Sequence, residues 1–400
     1  MAVLLLQGPL GSFFKHFSDQ LSQEGETVYK INFNGGDELY AQSENSVAYT
    51  GKPKDWSVFL TRFIELNNIQ TVFAYGDCRF YHHEAKRICI NHDVRYFAFE
   101  EGYLRPNYIT LEEGGVNGHS PLATDEGHKA IEAYAPVHAV KDEELIAPNF
   151  FKRFMYASIY YNVSFFRRLT FKHYVHHRSF SPVFEAFCWI RASLRKFAYR
   201  AVEPKAKKIC QQGEFYLVPL QVYNDAQIEF HSDYENMQAF ITEVMTSFAA
   251  SQKKCHLVIK HHPMDRGHVN YKAIIKRLAV ELKLEGRVFY IHDQHLPTLL
   301  KHCLGVVTIN STTALQAFYH KAPVKVMGDA FFNMPGLTHQ SSLADFWLKP
   351  EVLDEEFADR FRGYLLDHGQ INGSFYCDAD ISFNHLMPYL QKQGVIARLP

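Results

Sequence analysis

Residues Ala2 to Leu6 form an unbroken apolar run closed by Gly8, Pro9 and Gly11, after which Phe13, Phe14, Phe17 and Leu21 recur at helical spacing. That pattern predicts a buried strand, a tight turn and an amphipathic helix. The alternation continues, with strands expected over residues 27–33, 71–75 and 94–99 and helices over 55–66 and 81–91. A second series opens near Glu214, with strands over 215–219, 256–260, 288–290, 305–309 and 324–326 and helices over 234–251, 271–282, 296–302 and 311–319. Short strands alternating with helices imply mostly parallel, doubly wound sheets, so the fold class is α/β. Between the two series, residues 128–212 carry no strand signal. The expected division is a Rossmann-like domain at 1–127, a helical insert at 128–212, a second Rossmann-like domain at 213–365 and a helical tail at 366–400. Two such domains make a GT-B-like architecture, named for glycosyltransferases whose active site lies between the halves. Fold alone does not give function.

In doubly wound sheets ligands collect beyond the carboxyl ends of the strands. Gln7 and Gly8, Asn34 to Asp37, Gly76-Asp77 and Glu100-Glu101-Gly102 all fall at such ends, which makes Gln7, Gly8, Asn34 and Asp37 candidates for substrate contact. Glu100 and Glu101 are adjacent carboxyls before a glycine that permits a sharp turn. In a partly dry site such a pair repels, one pKa rises, and an acid or base near neutrality results; a solvated turn is the alternative. In the second series, Lys260-His261-His262-Pro263 ends a strand with donors for an anionic phosphate. Zinc or plain surface histidine is the alternative there, although adjacent histidines on a strand end point apart, which argues against a metal. Ser311, Thr312 and Thr313 precede a helix whose first-turn amides and hydroxyls can receive a phosphate, where ordinary N-capping would explain only one of them. Asp225, in the loop after the first strand of this series, is a nucleophile or base candidate if it is not simply a surface aspartate.

Charge changes the picture. Over the whole chain 42 Lys+Arg face 43 Asp+Glu, a formal net of -1. Residues 149–208, however, hold 13 Lys/Arg and only Glu185 and Glu203, a formal +11 against -12 for the rest. In that stretch Phe151, Tyr160-Tyr161, Phe165-Phe166, Phe187 and Trp189 interleave with Arg167-Arg168, Arg191 and Arg195-Lys196. Basic amphipathic helices of this kind bind anionic membrane surfaces. The alternatives are a solvated hairpin that packs its aromatics internally and nucleic-acid binding, for which no recognition motif is present. His173, His176 and His177 read as part of the same face. Seven widely spaced cysteines and no CxxC suggest a reducing compartment rather than a disulfide framework. The first apolar run is too short for a signal peptide and no segment approaches 18 apolar residues, so a cytoplasmic protein with peripheral contact to the inner membrane is expected.

Taken in order, Gln7-Gly8-Pro9, Lys30 to Asp37, Glu100 to Pro106, Pro219-Leu220-Gln221 with Asp225, His261-His262-Pro263 and Ser311 to Ala314 resemble the capsule polysaccharide biosynthesis/export family of Gram-negative bacteria, in its KpsS/LipB-type branch. The resemblance spans nearly the whole chain and implies a retaining β-Kdo transferase. Such an enzyme takes Kdo from CMP-Kdo and starts the lipid linker of the capsule on a phosphatidylglycerol-type acceptor. The carboxyl-carboxyl-Gly and His-Pro motifs are also similar to those of bacterial sialyltransferases. By that resemblance Glu101, with Glu100 beside it, is the acid/base, while Lys260 and His262 hold the CMP phosphate and Ser311 and Thr312 complete its site. Asp225 matches the nucleophile of a double displacement, with front-face attack as the other route to retention. The Kdo carboxylate wants a cation, for which Arg105 is the candidate. No cofactor or metal is expected, since a CMP leaving group held by lysine, histidine and helix amides does not require magnesium. Expected partners are the nucleotide sugar, an anionic lipid, other capsule transferases and the export complex. The competing readings are a non-catalytic export or scaffold component and a transferase of another CMP-activated sugar.

Overall fold

The computed structural model describes residues 1–40, 44–135, 144–147, 149–176, 182–377 and 379–396; His177 and Asp378 lie outside them. Two compact units are present. The first comprises residues 1–121, 135–182 and 363–400, and the second residues 122–134 and 183–362.

The first unit is built on a seven-stranded sheet. Its strands are β1 (Ala2–Leu5), β2 (Thr27–Asn32), β3 (Asn45–Ala48), β4 (Ile69–Tyr75), β5 (Arg95–Glu101), β6 (Tyr108–Glu113) and, from the far end of the chain, β12 (Gln370–Asn372), in the order β12-β6-β5-β4-β1-β2-β3. β1 to β5 run parallel, and at one edge β6 pairs antiparallel with β5 and β12 antiparallel with β6. The unbroken apolar run at the N-terminus has a simple cause: both faces of β1 are covered. Val3 and Leu5 join Phe13, Phe14, Phe17, Phe73, Phe97 and Phe99 on one face, whereas Leu4 and Leu6 join Ile31, Trp56, Val72 and Ala98 on the other. Much of the aromatic richness is thus spent inside. Phe13 alone has the rings of Phe99, Phe375 and Phe383 at 4.9 to 5.7 Å.

The second unit carries a five-stranded parallel sheet of β7 (Phe215–Pro219), β8 (His256–Lys260), β9 (Val288–Ile291), β10 (Gly305–Thr308) and β11 (Val324–Val326), ordered β11-β10-β7-β8-β9. Strand order reverses between β7 and β10 here, and between β1 and β4 in the first unit, and such switch points are where open α/β sheets leave room for a ligand. Gln221 and Asn310 close the β7/β10 switch by exchanging two hydrogen bonds, from Gln221 Nε2 to Asn310 Oδ1 at 2.9 Å and from Asn310 N to Gln221 Oε1 at 3.2 Å.

The sequence pattern does not predict β3 or the helices Gly35–Tyr40, Leu343–Leu348 and Glu355–Asp367, and four further differences stand out. The glutamates do not follow a strand but end one: β6 folds back and pairs Glu100 with Thr110 and Glu101 with Ile109. The helix expected from residue 234 begins as Met237–Ala250, because the Asn236 side chain accepts from Gln238 N and Ala239 N and so caps it there. Residues 128–212 are shared: residues 135–182 belong with the first unit, and the Pro182–Val202 helix falls essentially within the second. Finally, residues 366–400 are more than a helical tail, because β12 extends the first sheet. Its polar residues disguise it. Gln370 accepts from Tyr103 N and Leu104 N and donates to Thr110 Oγ1, stapling the edge with amides instead of apolar side chains.

Candidate functional site

In the first unit the carboxyl ends of β4 and β5 bring Glu100, Gly76 and Arg79 together. A Cβ on Gly76 would lie 3.8 Å from Glu100 Oε2 and 4.0 Å from Arg79 Nε. Gly102 fixes the pair from below, for a Cβ there would meet the Tyr108 carbonyl oxygen at 2.0 Å and no other residue fits. Glu100 and Glu101 are half-buried. Burial, with repulsion from Glu101, pushes the Glu100 carboxyl up to about 7, against the hydrogen bond from Glu101 N and the charges of Arg105 and Arg79. Glu101 is ion-paired with Arg153 at 3.4 Å. Two chemically identical neighbours therefore differ: one is poised to exchange a proton near neutrality and the other is tied to the Arg153 guanidinium. Arg105 is exposed and its Nε donates to the Gly102 carbonyl at 3.0 Å.

The other first-unit candidates have structural duties. Gln7, Asn34 and Asp37 are buried and converge on one tyrosine of the Phe150–Phe166 helix. The Tyr160 hydroxyl accepts from Gln7 Nε2 and Asn34 Nδ2, each at 2.8 Å, and donates to Asp37 Oδ1 at 2.7 Å. Gln7 in turn takes a hydrogen bond from Arg79 at 2.7 Å. Gly36 makes room for the Tyr160 ring, which a Cβ would meet at 2.5 Å, and Gly8 packs against Phe14. These residues anchor the helix that carries Arg153. Tyr160→Phe is accordingly expected to destabilise the first unit by about 2 kcal/mol, since it strips a buried carboxyl acceptor and two amides of their common partner. Urea unfolding of wild type and variant checks this.

In the second unit, β8 delivers Lys260, His261 and His262. Lys260 is buried, which lowers its pKa, while Asp293 works the other way. His261 turns inward: Nδ1 lies 2.7 Å from the Tyr290 hydroxyl, and burial together with His292 pushes the ring down to about 3. A neutral interior imidazole does not supply a cation to a phosphate, so the electrostatic part of that expectation falls to Lys260. His262 caps the following 3₁₀ turn, accepting from Met264 N at 3.2 Å. Ser311 spends its hydroxyl within the turn, accepting from Thr313 N at 3.2 Å with Thr313 Oγ1 at 3.1 Å. Asp225 caps the Ala226–Phe230 helix through Gln227 N at 3.0 Å.

Residues that the sequence did not single out surround Lys260. Arg266 pairs with Asp293, Glu203 pairs with His292 and accepts from its backbone N at 3.0 Å, and the Tyr199 ring stacks on His292 at 3.6 Å. The signal lay in Tyr290 to His295, a strand end with two imidazoles and a carboxylate, and in Tyr199 and Glu203 one helical turn apart.

The exposed faces of two helices complete the description. Along Phe150–Phe166, Arg153, Tyr156, Tyr160 and Ser164 recur at three- and four-residue spacing and point into the unit, while Phe151, Phe154, Met155, Ile159, Phe165 and Phe166 are 40 to 78% exposed on the other side. On Pro182–Val202, Cys188 and Ala192 are buried, and Phe187, Ile190, Leu194 and Phe197 are exposed on the opposite side. Among the described residues no helix is long and apolar enough to cross a membrane.

A family model described as "Capsule polysaccharide biosynthesis protein" matches residues 70–376. The chain is also 43% identical over 379 residues to the Capsule polysaccharide export protein KpsS of Escherichia coli, covering 93% of this chain and 96% of that one. The chain belongs to this capsule polysaccharide biosynthesis family. The Capsule polysaccharide modification protein LipB of Neisseria meningitidis serogroup A is another member-like relative, 39% identical over 392 residues, 94% of this chain and 91% of that one. Among solved structures, Thermosulfurimonas dismutans KpsC, a beta Kdo 2,7 transferase, matches with a TM-score of 0.45 and 14% identity over 96% of this chain and 98% of that one, too distant for any residue correspondence. Family membership makes this a capsule polysaccharide biosynthesis protein, and its two sheets make the fold α/β.

Proposed function

We propose that the protein transfers Kdo from CMP-Kdo, with retention, to a phosphatidylglycerol-type lipid and so begins the linker that carries the capsule chain. The observation that carries this reading is the Glu100/Glu101 pair, fixed by Gly102 at the carboxyl edge of a doubly wound sheet, with Glu100 titrating near 7. Glycosyl transfer needs a proton-transfer group of that kind beside an oxocarbenium-like centre. In the second unit Lys260, His262 and the Ser311–Thr313 turn hold the CMP phosphate, and Asp225 serves as the nucleophile. The lipid acceptor is supported by the outward apolar face of Phe150–Phe166, which lies in a stretch of +11 formal charge and suits an anionic bilayer surface. Peripheral attachment to the inner membrane and cooperation with other capsule transferases belong to the same reading.

Incubating the purified protein with CMP-Kdo and a short-chain phosphatidylglycerol should release CMP and add one or more Kdo masses to the lipid. Absence of product from folded wild-type protein sinks the proposal. A second reading, that the protein is a non-catalytic export component, draws on the printed name of the E. coli relative. Capsule restored in a deletion strain by a Glu100→Gln, Asp225→Ala double variant would favour it.

A further inference from the structure

Arg153 brings more hydrogen-bond donors to the glutamate edge than its contacts use. Its Nη2 stands 3.4 Å from Glu101 Oε1, an ion pair without a hydrogen bond, because that oxygen is buried and accepts none. The guanidinium carbon lies over the Tyr376 ring, 5.0 Å from its centroid, and Tyr376 is buried. A guanidinium seated on a ring is held in place while its N–H edge stays open to an anion. The side chain keeps 44% of its surface, so a ligand can reach that edge. The two other arginines of the edge are already engaged: Arg79 donates to Gln7 at 2.7 Å and lies over the Tyr75 ring at 5.2 Å, and Arg105 Nε donates to the Gly102 carbonyl at 3.0 Å.

Charge at this edge favours an anion. Arg79 and Arg105 act on Glu100, and Arg153 acts on both glutamates. Three guanidinium groups against two carboxyls leave positive charge in excess even when both carboxyls are ionised. Position on the helix says which anion. Along Phe150–Phe166, Arg153 points to the glutamates, whereas Phe151 just before it and Phe154 and Met155 just after it are 72, 49 and 40% exposed. The first turns of this helix therefore set a cation beside the glutamates and an apolar surface next to that cation. The combination suits a molecule with an oxyanion at the junction of its apolar chains and a hydroxylated head. A phosphodiester lipid has that plan and a nucleotide sugar does not.

We propose that Arg153 binds the phosphodiester of an amphiphilic acceptor whose chains lie on Phe151, Phe154 and Met155, so that the hydroxyls beyond the phosphate reach the glutamate edge. The inference rests on the transferase reading and deepens it, for it names the residue that selects a charged lipid. The planar fork of an arginine can take two phosphate oxygens along one edge while another N–H stays with Glu101. Arg153 is thus a binding residue and takes no proton from the acceptor.

The test uses the full chain with CMP-Kdo and dihexanoyl phosphatidylglycerol. Arg153→Met should raise KM for the lipid by roughly 10 to 100-fold while KM for CMP-Kdo changes by less than about threefold. Arg153→Lys, which keeps the charge and loses the fork, should fall between. An unchanged KM for the lipid in Arg153→Met overturns the proposal. So does a rise confined to CMP-Kdo, which would give the guanidinium to the sugar carboxylate, and so does an equal rise for both substrates, the mark of a damaged edge. If wild-type protein transfers nothing, the transferase reading has failed, and calorimetric titration of the same lipid into folded protein then decides separately. Wild type that binds it at least about tenfold more tightly than Arg153→Met, with dihexanoylglycerol binding both alike, upholds the anion site. Equal binding of the phospholipid by the two proteins, or none by wild type, overturns it.

Discussion

Glu100→Gln should abolish transfer and, above pH 7, make the protein more stable. The two effects share one cause. In the unfolded chain the carboxyl ionises near its ordinary value of 4.5, but in the folded unit it holds its proton to about 7. The native state therefore binds more protons between those limits, and stability falls as pH rises through the window. Below pH 4.5 both states are protonated and the penalty vanishes; above 7 it is fully present, on the order of 1 to 3 kcal/mol for a half-buried group. Glutamine is neutral at every pH and its oxygen can still accept from Glu101 N, so the local geometry survives. Thermal unfolding should show the variant level with wild type at pH 4 and several degrees higher at pH 8.5, while CMP release falls by about 10² to 10⁴-fold. A variant less stable than wild type at pH 8.5, or one that retains activity, would contradict the assignment of Glu100 as a strained, working carboxyl.

The strain at Glu100 is not local decoration. β6 pairs with β5 at both glutamates alike, yet Arg153 reaches only Glu101 from the Phe150–Phe166 helix and divides the labour between the two. That helix is positioned by Tyr160 on Gln7, Asn34 and Asp37, at the carboxyl ends of β1 and β2. The polar residues at the strand ends thus act on the chemistry through the element they hold.

How much of this was legible follows from what kind of interaction each part uses. The strands β7, β8 and β11 lie where apolar periodicity puts them, because parallel strands covered on both faces read as apolar runs. β12 was invisible for the opposite reason: Gln370 and Asn372 fasten it with amide hydrogen bonds, which leave no hydrophobic signature. At the site, Glu100-Glu101-Gly102 and Lys260-His261-His262 are contiguous and stood out. The asymmetry between Glu100 and Glu101 and the inward turn of His261 toward Tyr290 depend on partners tens of residues away, which no local motif encodes. Gly35-Gly36 illustrates the trap, since a glycine pair at a strand end suggests a ligand's approach, and here it is the Tyr160 ring that approaches.

The apolar outer face of Phe150–Phe166 yields the other large effect. Phe154, Ile159 and Phe166 are 49, 44 and 78% exposed, so each has unburied surface to place in a bilayer interface. Insertion of one large apolar side chain contributes roughly 1.5 to 3 kcal/mol, and bases near an anionic surface contribute about 1 kcal/mol each. Lys152, Arg168 and Lys172 lie in or beside this helix, and residues 149–176 contain no acid. Replacing Phe154, Ile159 and Phe166 together with glutamate should therefore lower affinity for phosphatidylglycerol vesicles by at least about 10²-fold in co-sedimentation, while unfolding free energy changes by less than about 1 kcal/mol. Leu66→Glu, at an 81% exposed position at the end of the Trp56–Leu66 helix, is the control and should bind as wild type does. Binding to neutral phosphatidylcholine vesicles should be weak throughout, and raising salt should weaken the wild type, because the charge term is screened over about 8 Å at physiological ionic strength while the apolar term is not. A triple variant that still sediments with anionic vesicles would show that the face is covered by protein and that the lipid acceptor reaches the first unit by another surface.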